Sequence, residues 1–192
     1  MKPRPHPDAR QGRLVYVIGP SGAGKDSIIA YARARLGGEG SAHVFPRRHI
    51  TRPVDGQSED HVSLSPEDFD GLCQAGRFAL HWRGNGLCYG IGNEIDLSLV
   101  AGRHVIVNGS RAHLPEAARA YPDLLPVAIA IDPGVLRQRL LVRAREQAGQ
   151  IEDRLKRAAE LQQVDHPALR TIPNNGALEE AGESFVALLR SL

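Results

Sequence analysis

The sequence predicts an α/β fold with a mainly parallel central sheet. Three observations carry this. Strand-like runs alternate with helix-period segments along nearly the whole chain. Leu125 to Ile131 (LPVAIAI) is a continuous apolar run, the pattern of a strand covered on both faces. A Gly-rich turn, Gly19 to Gly24, joins the first strand pattern to the first helix pattern.

Taken in order, Arg13 to Ile18 (RLVYVI) reads as the first strand. Lys25 to Leu36 has helical spacing at Ile28, Ile29, Ala32 and Leu36 and stops at Gly37-Gly38. His43 to Ile50 reads as a second strand, followed by a polar loop from Thr51 to His61. Ser65-Pro66-Glu67-Asp68 has an N-cap Ser, Pro at the first helical position and acids in the first turn, so a helix should run to Ala75 and end at Gly76. Phe78 to Trp82 is a short strand, Asn93 to Val100 a helix, His104 to Val107 a buried strand and Leu114 to Ala120 a helix. Pro133 to Ala148 and Gln150 to Val164 read as Arg-rich helices, Leu169 to Ile172 as a last strand and Gly176 to Leu189 as an amphipathic helix. Ligands in such folds gather at the carboxyl ends of strands, which points to the loops after Ile18, Val107 and Ile131.

Length and composition narrow the class. A chain of 192 residues suits one domain, with room for a small inserted lid. At that size it buries roughly 70% of its unfolded surface and needs no disulfide or metal staple. No apolar run approaches the roughly 18 residues of a membrane span. Met1 to Gly12 is polar and Pro-rich without an apolar core, so it reads as a disordered arm and not a secretory signal. Cys73 and Cys88 form no CxxC pair and read as free thiols of a cytoplasmic protein. A net charge of +2 is too mild to suggest nucleic acid or a membrane surface as partner. The sequence leaves a homodimer open. Of 24 basic residues, three are Lys (Lys2, Lys25 and Lys156) and the other 21 are Arg. A Lys kept amid so much Arg asks for a reason, and Lys25 supplies one.

Gly19-Pro20-Ser21-Gly22-Ala23-Gly24-Lys25-Asp26 follows a strand and opens a helix, the context that a phosphate-binding P-loop requires. Its glycines let backbone N–H groups turn inward, and the helix N-terminus adds positive potential. Lys25 reaches phosphate oxygens as a point charge, which Arg does not imitate. The expected ATP segment therefore runs from Gly19 through Ser27. The usual pattern has Ser or Thr after the Lys, where a hydroxyl ligates Mg²⁺; here Asp26 stands in that place. A carboxylate is an oxygen ligand and suits the same metal. Ser27 faces about 100° away and substitutes poorly.

Beyond the loop, the chain from Leu14 onward resembles the guanylate kinase family. Thr51-Arg52-Pro53…Gly56…Glu59-Asp60-His61…Leu64 is similar to its T-R-x-P…G-E…D-Y-x-F stretch. Gly76-Arg77-Phe78…Trp82 with Gly86…Tyr89-Gly90 is similar to its G-x-F-x-E-W…G…Y-G pair. Arg139, Arg143 and Arg154 resemble its lid arginines, and Asn174-Asn175-Gly176…Leu178 its carboxyl-terminal motif. The departures gather where that family reads guanine: Leu80-His81 precede Trp82, Ile91 follows Tyr89-Gly90, and the strand ends in Asn108. A guanine edge left without buried polar partners costs several kcal/mol, so GMP is a poor acceptor candidate. Gly-Pro-Ser-Gly-Ala-Gly-Lys-Asp, Arg48-His49-Ile50-Thr51-Arg52-Pro53, Tyr89-Gly90-Ile91…Glu94-Ile95-Asp96 and Val107-Asn108-Gly109-Ser110-Arg111 together resemble the ribose 1,5-bisphosphate phosphokinase family, guanylate-kinase-like enzymes of bacterial phosphonate degradation.

The resemblance implies a three-layer P-loop kinase fold over residues 13–192, with an acceptor-binding region near 43–92 and a lid near 137–154. It implies ATP and Mg²⁺ as cofactors, with Asp26 as metal ligand, and a phosphorylated sugar as acceptor. Lys25, Arg139, Arg143 and Arg154 would neutralise charge during transfer. Arg139 and Arg143 lie four apart and share a helix face; the alternative is a solvated basic face paired with Glu146, Glu152 and Asp153. Arg48, Arg52, His61, Tyr89, Asn108 and Arg111 would bind the acceptor. For Arg48 and Arg52 the alternative is an ion pair with Glu59 or Asp60, for Tyr89 a packing role, and for Arg111 a cap on the next helix. Glu94 and Asp96 fit either ligand contacts or a helix start. Two other functions remain open at this level: a divergent guanylate or nucleoside monophosphate kinase, and a non-catalytic guanylate-kinase-like interaction module. The retained Lys25 and lid arginines speak against the second.

Overall fold

The computed structural model describes residues 12–53, 60–142 and 164–192. The expected arm through residue 11, the core of the 51–61 loop and most of the two Arg-rich helices lie outside the described residues.

The alternation of strand and helix patterns is realised as nine strands and six helices among the described residues. These are β1 (Leu14–Ile18), α1 (Lys25–Leu36), β2 (His43–Val44), β3 (His49–Ile50), β4 (Val62–Ser63), α2 (Pro66–Gln74), β5 (Phe78–Gly84), β6 (Leu87–Gly92), α3 (Ile95–Val100), β7 (His104–Asn108), α4 (Leu114–Ala120), β8 (Leu125–Ala130), α5 (Pro133–Val142), β9 (Arg170–Pro173) and α6 (Leu178–Arg190). One sheet has five strands in the order β2-β7-β1-β8-β9, and the other has four in the order β4-β3-β6-β5. Parallel pairing joins β2 to β7 and β8 to β9, in the register Ile129↔Ile172. All five residues of β1 are buried, as a strand covered on both faces requires.

The contacts divide the molecule into two compact units. One is drawn from Met1–Val15, Leu36–Val107 and Glu116–Leu124; the other from Tyr16–Arg35, Asn108–Pro115 and Leu125–Leu192.

In the first unit, Ser65 caps α2: its hydroxyl accepts from the Asp68 N–H at 3.0 Å, with Pro66 at the start as expected. Gly76 follows the helix at φ +63° and allows the chain to turn back. Three differences from the sequence reading are informative. The expected strand His43–Ile50 is two short strands in different sheets. Pro46 lies between them and has no N–H to give a ladder. The short strand β4 was not expected, and β6 also forms where no strand was read. Asn85 (φ 51°) and Gly86 (φ 75°) make the left-handed pair of a type I′ turn, which folds β5 back onto β6. Two glycines made β6 look unlike a strand. Gly90 is there because a Cβ would sit 2.5 Å from the Phe78 ring. Lastly, Gly12 is tied to the fold, since its N–H donates to Leu99 O at 2.9 Å.

In the second unit, α1 spans the residues its periodicity predicted, burying Ile28, Ile29 and Ala32. Helix α6 buries Ala181, Phe185, Val186 and Leu189 along one stripe. Tyr31 on α1 donates to Glu183 on α6 at 2.6 Å, and Arg35 both caps the Tyr31 ring at 3.5 Å and pairs with Glu183 at 2.9 Å.

Candidate functional site

The turn after β1 is built by backbone. Gly19, Gly22 and Gly24 hold φ of 152°, 91° and 88°, conformations that residues with a Cβ resist. The Ala23 N–H donates to Pro20 O at 3.2 Å and the Ile28 N–H to Gly24 O at 3.0 Å, so the turn passes directly into α1. Lys25 Nζ donates to Gly19 O at 2.9 Å and Pro20 O at 3.0 Å. The ammonium is thus held at the turn's own concavity, where an anion would take over those contacts.

Asn174, beyond the end of β9, clasps the same turn. Its amide Nδ2 donates to Ala23 O at 2.7 Å and its own N–H donates to Ala130 O at 2.8 Å. Asn174 is 3% exposed, and its Oδ1 is buried with no hydrogen-bond partner. It lines a cavity of about 500 Å³ with Gly22, Gly24, Ser27, Gln138, Arg139 and Leu178. Arg139 donates to Gly176 O at 3.1 Å and so fixes α5 to the start of the last connection. A buried acceptor without a donor is costly, so a ligand donor is the natural complement to Oδ1.

Asp26, exposed, accepts from Asn108 Nδ2 at 2.5 Å. The loop after Asn108 is anchored by the Gly109 N–H on Val17 O (2.8 Å) and by the Ser110 N–H on the Tyr16 hydroxyl (3.1 Å). Arg111 is half-buried, and burial pulls its guanidinium below its ordinary value. Its carbonyl also accepts the Leu114 N–H at 3.2 Å, at the start of α4.

The remaining acceptor-site expectations fall in the first unit. Trp82 and Tyr89 are cross-strand partners, stacked at 5.5 Å with planes 8° apart, and the Arg48 guanidinium lies 5.2 Å from the Tyr89 ring. His61 is 4% exposed and its Nε2 is bonded to the Arg52 carbonyl at 3.0 Å, so it holds the backbone that carries Arg52. Thr51 Oγ1 accepts the Cys88 N–H at 2.8 Å and ties the same turn to β6. Arg47 forms an ion pair with Asp60 at 3.4 Å. Leu80 and Ile91 are partners across β5 and β6, 4% and 0% exposed. Asp96 accepts from the Tyr121 hydroxyl at 2.7 Å, a structural tie.

The structure therefore groups Gly19 through Ser27, Asn108, Arg111 and Arg139 in one unit, and Arg48, Arg52, His61 and Tyr89 in the other. Arg143 and Arg154 lie outside the described residues. Sequence reasoning missed Asn174 and Tyr16 as contributors. The strand-end rule that pointed to three other loops applies equally to the loop after β9, where Asn174 stands. A lone Tyr in the apolar run of β1 was the signal for the second.

Among the described residues no group of three or more His, Cys, Asp or Glu side chains forms a metal cage, and no helix is long and apolar enough to cross a membrane. Asp26 nevertheless fits Mg²⁺ chemically: it is a carboxylate on an exposed residue beside Lys25 at a helix start, and Mg²⁺ is commonly held by one or two carboxylates plus phosphate oxygens.

No protein-family model matches the chain. Curated relatives do. The ribose 1,5-bisphosphate phosphokinase PhnN of Thiobacillus denitrificans is 49% identical over 181 residues, covering 93% of each chain. That of Desulfomicrobium baculatum is 48% identical over 92% of this chain and 94% of its own. That of Burkholderia pseudomallei is 49% identical over 94% and 96%. Among solved structures, guanylate kinase from Anaplasma phagocytophilum matches with a TM-score of 0.70 over 94% of this chain and 86% of its own, at 17% identity, which establishes a shared fold.

Proposed function

The chain belongs to the ribose 1,5-bisphosphate phosphokinase family and is a kinase, and from that premise we propose that it moves the γ-phosphoryl of ATP onto the 1-phosphate of ribose 1,5-bisphosphate. An oxygen of the 1-phosphate attacks the γ-phosphorus and the bond from that phosphorus to the β–γ bridging oxygen breaks. The products are 5-phosphoribosyl 1-diphosphate and ADP. We take this as a step of phosphonate degradation, carried out in the cytoplasm, where two free cysteines are at home.

The observation that carries the choice of acceptor is the cross-strand pair Leu80–Ile91. The guanylate kinase pattern places its guanine-reading Glu just before the Trp and its Ser after Tyr-Gly; here Leu80 and His81 precede Trp82 and Ile91 follows Gly90, and Leu80 and Ile91 are buried hydrocarbon. A guanine edge would lose the Glu carboxylate and Ser hydroxyl that the pattern supplies, and such a mismatch discriminates by orders of magnitude. A sugar bisphosphate makes no such demand. It asks for cations, and Arg48 and Arg52 supply forks that grip phosphate bidentately.

Both reacting groups are anionic, so the work is charge neutralisation and alignment. Lys25 binds the β- and γ-phosphates as it leaves the Gly19 and Pro20 carbonyls. Asp26 would hold Mg²⁺, which when bound screens the phosphate oxygens. Arg139, with Arg143 and Arg154, supplies further positive charge to the triphosphate. Asn174 lines the cavity beside the turn and carries an amide acceptor, which suits the exocyclic amine of adenine.

The test is ADP release from Mg-ATP against ribose 1,5-bisphosphate, ribose 5-phosphate, GMP, dGMP and AMP. A strong preference for the bisphosphate is expected. Preference for GMP would make this a divergent guanylate kinase. Silence on every acceptor, with no rise in Tm on adding ATP, would favour a non-catalytic module.

A further inference from the structure

Asp26 and Asn108 are 82 residues apart in sequence, yet Asn108 Nδ2 donates to Asp26 Oδ1 at 2.5 Å. The two differ sharply in surroundings. Asp26 is exposed, whereas Asn108 is 7% exposed at the end of β7. Asn108 is also tightly placed. Its neighbour Gly109 bonds back to Val17 O, Ser110 bonds to the fully buried Tyr16 hydroxyl, and a Cβ on Gly109 would collide with the Tyr16 ring. The strand end therefore passes flat against Tyr16, and Asn108 has little freedom to reach elsewhere.

A carboxylate bonded through one oxygen has its plane fixed, and the direction of its second oxygen with it. A neutral amide does this without adding a second negative charge beside nucleotide phosphates. We infer that Asn108 is a positioning residue that holds the Asp26 carboxylate for the metal, and not a ligand of the sugar. This rests on the reading of Asp26 as the residue that serves Mg²⁺ beside ATP. Partners of this kind commonly change metal affinity or activity by about 10–100-fold when removed.

The experiment compares Asn108→Val with Asn108→Thr, side chains of nearly equal volume of which only Thr keeps a donor. Two readouts are taken: the Mg²⁺ concentration giving half-maximal rate, and the extra rise in Tm that Mg²⁺ brings to the ADP-bound protein. For Asn108→Val the half-saturating Mg²⁺ should rise about tenfold and the Mg²⁺-dependent part of the Tm rise should shrink. The KM for ribose 1,5-bisphosphate should stay put. Asn108→Thr should recover most of both. A raised sugar KM with an unmoved Mg²⁺ curve would make Asn108 a sugar ligand and overturn the inference. So would equal behaviour of the two variants in every readout. A wild-type protein whose ADP-bound Tm ignores Mg²⁺ removes the premise itself, before any variant is compared.

Discussion

On the proposed function, the turn between β1 and α1 and the β5–β6 hairpin bind anions by opposite means. The turn does it with backbone: three glycines at positive φ, carbonyls held by Lys25, and Ala23 O held by Asn174. The hairpin region does it with side chains: Arg48 over Tyr89, Tyr89 stacked on Trp82, and Arg52 carried on a carbonyl that His61 holds. Backbone contacts cannot change without refolding the turn, so they serve a group common to every reaction of the fold. Side chains change singly, so they choose the acceptor. On the proposed function, that division would let a chain with the fold of guanylate kinase decline guanine.

If the division holds, damage to the two regions separates in kinetics. The largest effect belongs to Lys25→Ala, which should lower kcat by about a thousandfold, as lost transition-state contacts do. Its Tm should move by only a few degrees, because the hydrogen bonds the ammonium makes to the Gly19 and Pro20 carbonyls lie within the turn itself. Near-normal turnover would remove Lys25 from catalysis. Arg52→Ala comes next. It should cost about a hundredfold in kcat/KM for the sugar, the loss of a bidentate phosphate contact. The KM for ATP should not follow, and equal loss for both substrates would erase the distinction between the regions.

Asn174→Ala is smaller and mirrors that result. It leaves Ala23 O without its buried donor, costing about 1–3 kcal/mol of stability, and should weaken ATP about tenfold while sparing the sugar KM. Thermal melts with and without ATP separate the two parts. The smallest effect is on pH. Burial, more than any neighbouring charge, pulls His49 and His104 of the first unit below the ordinary value. The fold therefore favours their neutral forms. Their contribution is complete above about pH 6.5 and is lost as pH falls through the lowered folded values. Tm should decline from pH 7 to pH 5, and His104→Gln should flatten part of that decline. A slope unchanged in the variant would show that His104 is not a source.

What was legible in the sequence follows the same division. The turn could be read because backbone geometry admits few residues: glycine where φ is positive, a helix start directly after, one Lys amid Arg. Helices α1 and α2 followed from periodicity and from the Ser65-Pro66 cap. The acceptor region was harder, since its strands are short and its glycines serve close approach. Gly90 sits under the Phe78 ring, and no local pattern in sequence announces a ring arriving from twelve residues away. Asn85-Gly86 is a turn signal that sequence alone carries, and it marks the hairpin. Pro46 should have split the run His43–Ile50. Asn174 and Asn108 could not be read at all as partners of Ala23 and Asp26, because those contacts exist only after the sheet has formed.

The most direct measurement is a competition. Equimolar ribose 1,5-bisphosphate and GMP share limiting Mg-ATP with the wild-type protein, and phosphorus NMR reads the products. The account predicts the diphosphate signals of 5-phosphoribosyl 1-diphosphate, with GDP at most a trace. GDP as the dominant product would contradict it, and would mean that the buried Leu80–Ile91 pair does not govern which acceptor is taken.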